Sequence, residues 1–162
     1  MLRARQLRSA HGGPFDLDLA AGGCAIVTGP SGAGKSVLLR LLADLDPGEG
    51  EVWLEGTPRL HWSGPQWRRQ VVYQSAEPAW WDSQVAAHFD TPPDAGLLDA
   101  LGLPARLMAQ PVERLSTGER QRLALVRSLA RAPRVLLLDE PTAAQRAWRW
   151  WWSATRPSRS RA

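Results

Sequence analysis

The sequence holds a single lysine, a single cysteine, a single tyrosine and no long apolar run, and each scarcity narrows what the chain does. A lone cysteine, Cys24, cannot close an internal disulfide, and its setting in the apolar run CAIVT predicts a buried packing role. No stretch approaches the roughly 20 apolar residues of a membrane helix, and the opening MLRARQLRSAHGGPFD lacks the apolar segment of a secretory leader, so the expected location is the cytoplasm. Of 20 basic residues only Lys35 is a lysine. A chain that elsewhere uses arginine keeps its one ammonium group inside the octapeptide GPSGAGKS.

The 162 residues carry a formal charge of +4, and a net basic balance ordinarily points to nucleic acid or a membrane surface. Its placement argues otherwise. Residues 145–162 hold five arginines and no acid, which leaves 15 cations against 16 anions in residues 1–144. The body of the chain is not basic, and no nucleic-acid partner is expected. With 44% hydrophobic residues the length suits one domain around one substantial core.

PFDLDLAAGG alternates in the manner of a half-exposed strand, and residues 24–28 read as a buried strand ahead of a glycine-rich turn. Leucines at helical spacing predict a helix over residues 35–45, ended by the DPGEG turn. GEVWLEG reads as a strand, and WRRQVVYQ as a further short strand-like run. Prolines break residues 78–111 into short helical pieces, so a helical subdomain is expected over about 79–115. Ser116 and Glu119 have capping-box spacing and open a helix through RQRLALVRSLARA, and VLLLD follows as a continuous apolar strand. Strands alternating with helices predict an α/β fold with a mixed, largely parallel sheet.

Two motifs carry chemistry. GxxxxGK[ST] is met by Gly29, Gly34, Lys35 and Ser36, after an apolar strand and before a helix. Loop amides from Ser31, Gly32 and Ala33, in a turn that Pro30 helps to shape, with the start of the helix at Lys35, Ser36 and Val37, can surround phosphate oxygens. Lys35 can reach the β and γ phosphates, and Ser36 can ligate Mg²⁺. RVLLLDEPT ends a buried strand in two adjacent acids, where Asp139 can hold Mg²⁺ and Glu140 can polarise an attacking water as general base. A GTPase would need a second lysine in an Asn-Lys-x-Asp motif, and Lys35 is the only one.

The order GPSGAGKS, LSTGERQR, LLLDEPT resembles that of ABC ATPases over about residues 5–144. The resemblance implies a P-loop NTPase fold of ABC type with an inserted helical subdomain, binding ATP and Mg²⁺. It makes Ser116, Gly118 and Glu119, with Thr117, the signature segment presented to the γ-phosphate of an opposite subunit. It implies a homodimer or an ABC-type head-to-tail dimer, a transmembrane permease partner, and a place on the inner face of the plasma membrane. Ala76 falls in the slot of the family's Mg²⁺-sensing glutamine, with Gln74 and Glu77 as polar neighbours. Trp80 and Trp81 fall where the family receives its membrane partner, as an alternative to a core role. His11 and Phe15 are the rings nearest the adenine-stacking position. PFDLDL, GPSGAGK and AEPAWW are similar to small bacterial ATPase subunits of metal-ion efflux systems.

After PTAA the family's pattern stops. Gln145 and Arg146 stand where a Leu-Asp pair is expected, and His11, His61 and His88 all precede Glu140, so no switch histidine follows it. Residues 145–162, with four tryptophans and no periodicity, read as an aberrant tail from a truncated or shifted frame, or else as a segment touching membrane or a partner. The corresponding alternative function is a nucleotide-binding fragment that hydrolyses ATP poorly or not at all.

Overall fold

The computed structural model describes residues 1–140, so the expectations for the tail at 145–162 lie outside the described residues. The described chain forms two compact units: Met1–Tyr73 with Pro133–Asp139, and Gln74–Ala132 with Glu140.

In the first unit, β1 (Leu2–Ser9) and β2 (Gly12–Leu19) form an antiparallel hairpin, β3 (Glu49–Leu54) pairs antiparallel with β1, and β4 (Thr57–Pro58) closes the order β2-β1-β3-β4. Every pairing in this larger sheet is antiparallel; two-residue turns join β1 to β2 and β3 to β4, and such turns cannot connect parallel strands. At the β3–β4 turn both Glu55 (φ 51°) and Gly56 (φ 81°) are left-handed, the form that matches strand twist. A second sheet pairs β5 (Val71–Gln74) with β6 (Val135–Leu138).

Strand β1 went unrecognised in the sequence because its arginines mask the alternation of Leu2 and Ala4, which point inward. Its exposed face is held instead by ion pairs, Arg3 to Asp18 at 3.0 Å and Arg8 to Glu49 at 2.7 Å. The WRRQVVYQ run is not one strand. Ser63 and Gln66 form a reciprocal capping box with a proline in the first turn, so α2 (Gly64–Gln70) takes its first half and β5 the second.

Helix α1 (Lys35–Leu42) buries Leu38, Leu41 and Leu42. It ends three residues short of the expected Leu45 because Asp44 turns left-handed (φ 58°). Leu45 N then donates to Arg40 O and Asp44 N to Leu41 O, the paired bonds of a Schellman end. The Asp44 carboxylate is held by Arg59 and Arg68. The unit's core joins these leucines to Leu2, Ala4, Val52 and Leu54 of the sheet, Trp67 and Val71, and Val135 and Leu137 of β6.

Residues 24–28 correct an expectation. They have no regular structure, Ile26 is 83% exposed, and Cys24 is exposed rather than buried in packing. Composition favours a strand there, but a strand needs a ladder partner, and among the described residues none bonds to this segment.

In the second unit, short 3-10 turns at Val85–His88, Ala105–Ala109 and Val112–Arg114 surround α3 (Ala95–Ala100), whose Asp94 side chain caps it. Helix α4 (Thr117–Ala130) buries Leu123, Ala124, Leu125 and Val126.

Trp67 is fully buried and donates its indole N–H to Leu42 O at 2.9 Å, at the end of α1. Trp67→Phe keeps a ring but orphans that carbonyl and leaves space, so it lowers stability by about 1–3 kcal/mol. The urea midpoint measures it, and a shift within error refutes the role assigned to the bond.

Candidate nucleotide site

Residues 29–36 run from the exposed segment into the first turn of α1. Gly29, Pro30, Ser31, Gly32 and Ala33 are exposed, Gly34, Lys35 and Val37 half-buried, and Ser36 exposed. Gly34, the N-cap of α1, has φ 81°, and a Cβ there would stand 3.2 Å from the Phe15 ring. Both conformation and space therefore require glycine. The helix begins with no side-chain cap and no acidic residue in its first turn. Its leading N–H groups have no intrahelical acceptor, so the site is electropositive. Lys35 Nζ donates to Gly29 O at 2.8 Å and Pro30 O at 2.7 Å, which folds the ammonium group over the loop. Such an arrangement can take a phosphate group. Phe15 is committed to the underside of the loop, and His11 lies exposed at the β1–β2 turn.

Asp139 follows β6 in the same unit, and β6 and α1 share one core. It is half-buried, and Tyr73 Oη donates to its Oδ2 at 2.9 Å. Burial, and then the hydrogen bond to Asp139, push the Tyr73 phenol up to about 12, so it remains a donor. Tyr73 was missed as a site residue. Its only signal was being the sole tyrosine in the sequence. Hydroxyl and carboxylate oxygens from Ser36 and Asp139 are a donor set suited to a hard cation such as Mg²⁺.

Glu140, exposed and with a left-handed φ of 45°, belongs to the second unit, as do Ser116, Thr117, Gly118 and Glu119. At the start of α4, Ser116 N and Oγ donate to Glu119 Oε2 at 2.9 and 2.7 Å, and Glu119 N donates to Ser116 Oγ at 3.3 Å. These bonds to Ser116 hold the Glu119 carboxyl below its ordinary range. The Gln74 amide donates to Gln121 O and accepts from Ser128 Oγ, so it is tied to α4. Glu77 is exposed, and Ala76 offers only its carbonyl, to Gln121 Nε2 at 3.4 Å.

Trp80 and Trp81 are neither plain core nor free surface. Trp80 is half-buried and Trp81 is 65% exposed, and both rings pack on His88, with centroids 4.7 and 4.5 Å away. His88 Nε2 accepts from the amides of Trp81 and Asp82, its Nδ1 faces Gln84 O, and Arg127 lies over both indoles. Burial lowers the Arg127 pKa, and the neighbouring Arg131 charge adds to this.

The family model for "ABC transporter" matches residues 13–143. The chain belongs to the ABC transporter family. Within it, the chain is 41% identical over 141 residues to Protein STAR1 of Oryza sativa subsp. japonica, a match covering 80% of this chain and 41% of that protein. It is 35% identical over 142 residues to the probable iron export ATP-binding protein FetA of Escherichia coli (strain K12), covering 80% and 63%. The chain thus spans about two fifths to three fifths of the length of these relatives. Solved structures share the ABC fold at low identity. A bacterial Atm1-family ABC exporter with ATP bound superposes with a TM-score of 0.73 at 22% identity, covering 88% of this chain and 30% of the exporter. The dimeric ATP-binding cassette MJ0796 bound to ADP and Pi gives 0.70 at 20%, covering 88% and 75%. The P-loop NTPase fold of ABC type is therefore the fold of this chain. Among the described residues no helix is long and apolar enough to cross a membrane.

Gly34→Ala tests the loop's construction. It forces a side chain into left-handed backbone against Phe15 and costs about 1–3 kcal/mol in thermal unfolding, with Phe15→Leu recovering part of the loss. An unchanged transition in Gly34→Ala is the contrary result.

Proposed function

We propose that this chain is the ATP-binding subunit of an ABC transporter, coupling ATP binding and hydrolysis to transport through a separate transmembrane permease. The observation that carries the reading is the loop at 29–36. A helix start with neither side-chain cap nor acid in its first turn lies beside the chain's only lysine, whose ammonium group is held on the carbonyls of Gly29 and Pro30. The charge and the amides there suit the β and γ phosphates of ATP.

The amides from Ser31 through Val37 hold phosphate oxygens, and Lys35 exchanges its carbonyl partners for them. Ser36 and Asp139 supply oxygens to Mg²⁺, which when bound neutralises charge on the phosphates. Glu140 orients and deprotonates the attacking water. Ser116, Gly118 and Glu119 offer the capped start of α4 to the γ-phosphate held by a second subunit, which makes the working form a head-to-tail dimer. Glu119 reinforces that helix start through its bonds to Ser116 rather than by contact of its own. In this reading the chain sits on the inner face of the plasma membrane through its permease, and cargo recognition belongs to the permease.

A second reading, ATP binding with little or no turnover, is favoured by the exposed segment at 24–28, which has no ladder partner among the described residues. That segment leads directly into the loop, and a loop without a bonded strand behind it holds phosphate less rigidly than in-line displacement requires.

Lys35→Ala weakens Mg-ATP binding by about 10- to 100-fold, the worth of a charge-assisted hydrogen bond, as read by equilibrium binding of a fluorescent ATP analogue. Phosphate release by the unaltered chain, abolished in Glu140→Gln, supports the first reading. Binding without release supports the second, and a folded chain that retains no ATP at millimolar concentration sinks both.

A further inference from the structure

We infer that Tyr73 is a positioning residue for Asp139: its hydroxyl captures Oδ2 and thereby determines that Oδ1 is the oxygen presented to the cation. The inference rests on the reading that Asp139 holds Mg²⁺.

A carboxylate at a strand end has two chemically equivalent oxygens and a broad, roughly two-fold torsion, so the backbone alone does not select one. Here a selector is present. Tyr73 lies in β5, the strand hydrogen-bonded to β6, which delivers Asp139. Its ring packs against the core of the first unit, which restrains the phenol. From that anchored ring Oη donates to Asp139 Oδ2 at 2.9 Å. A phenol donating to a carboxyl oxygen at this distance makes a well-formed bond, and the phenol brings no charge of its own to the metal site. With Oδ2 occupied, Oδ1 is left for a cation, at an orientation set by β5. Groups that hydrogen-bond a metal-ligating side chain orient it in this way, and their loss typically costs about 10- to 100-fold in metal affinity.

The isosteric variant Tyr73→Phe preserves the packed ring and removes only the donor. The measurement is Mn²⁺ occupancy of the full chain in the presence of ATP, read by electron paramagnetic resonance, beside ATP binding in EDTA and an unfolding curve for each variant. Tyr73→Phe is expected to raise the Mn²⁺ concentration for half-occupancy by about 10-fold or more while metal-free ATP binding stays at the level of the unaltered chain. Asp139→Asn is expected to raise it further, and adding Tyr73→Phe to Asp139→Asn to change nothing more. A Tyr73→Phe chain that titrates like the unaltered one, while Asp139→Asn shifts, overturns the role of Tyr73 and spares that of Asp139. Equal weakening of Mn²⁺ and metal-free ATP binding, with a lowered unfolding midpoint, overturns it in favour of a purely structural tyrosine. An Asp139→Asn chain with unaltered Mn²⁺ occupancy removes Asp139 as a ligand and the inference with it.

Discussion

The site depends on how α1 is anchored. Leu38, Leu41 and Leu42 sink one face of the helix into the core of the first unit, while the other end, at Gly34, has no side chain to satisfy its leading amides. Burial at about 25 cal/mol per Å² of apolar surface holds the helix, and the helix in turn holds a cluster of N–H dipoles that cannot relax toward a carboxylate of its own. Phe15 fills the space beneath Gly34, so the turn has a floor. Lys35 rests on two loop carbonyls that a phosphate can replace as partners.

The contrast with α4 is instructive. Both helices begin at a segment expected to face phosphate, yet α4 is closed by a reciprocal capping box in which Glu119 takes both donors of Ser116. One helix start leaves its leading amides without a side-chain acceptor, and the other supplies its own carboxylate. Glycine at the phosphate loop and serine with glutamate at the signature are thus different solutions to the same problem of unpaired backbone donors.

Motifs whose meaning is local were legible. GPSGAGKS, the Ser116–Glu119 spacing and the apolar run VLLLD each specify their conformation within a few residues, and each stands where the pattern placed it. Less legible were elements whose signal is mixed. Strand β1 hides its alternation behind arginines that are neutralised by Asp18 and Glu49 from neighbouring strands, and α2 hides in a run whose second half is a strand. Residues 24–28 were misread for the opposite reason: composition favours a strand there, but hydrogen-bond partners, which no local pattern encodes, are required to make one.

The sequence by itself determined the family, the glycine-rich turn into α1 and the capped start of α4, because spacing and backbone conformation at such turns are local properties. Tertiary structure alone decided that Phe15 packs beneath Gly34, that Gln74 is tied to α4, that Cys24 is exposed, and that a lone tyrosine in β5 reaches Asp139. Those outcomes depend on which strands lie side by side, and residues 66 positions apart meet only when two strands pair.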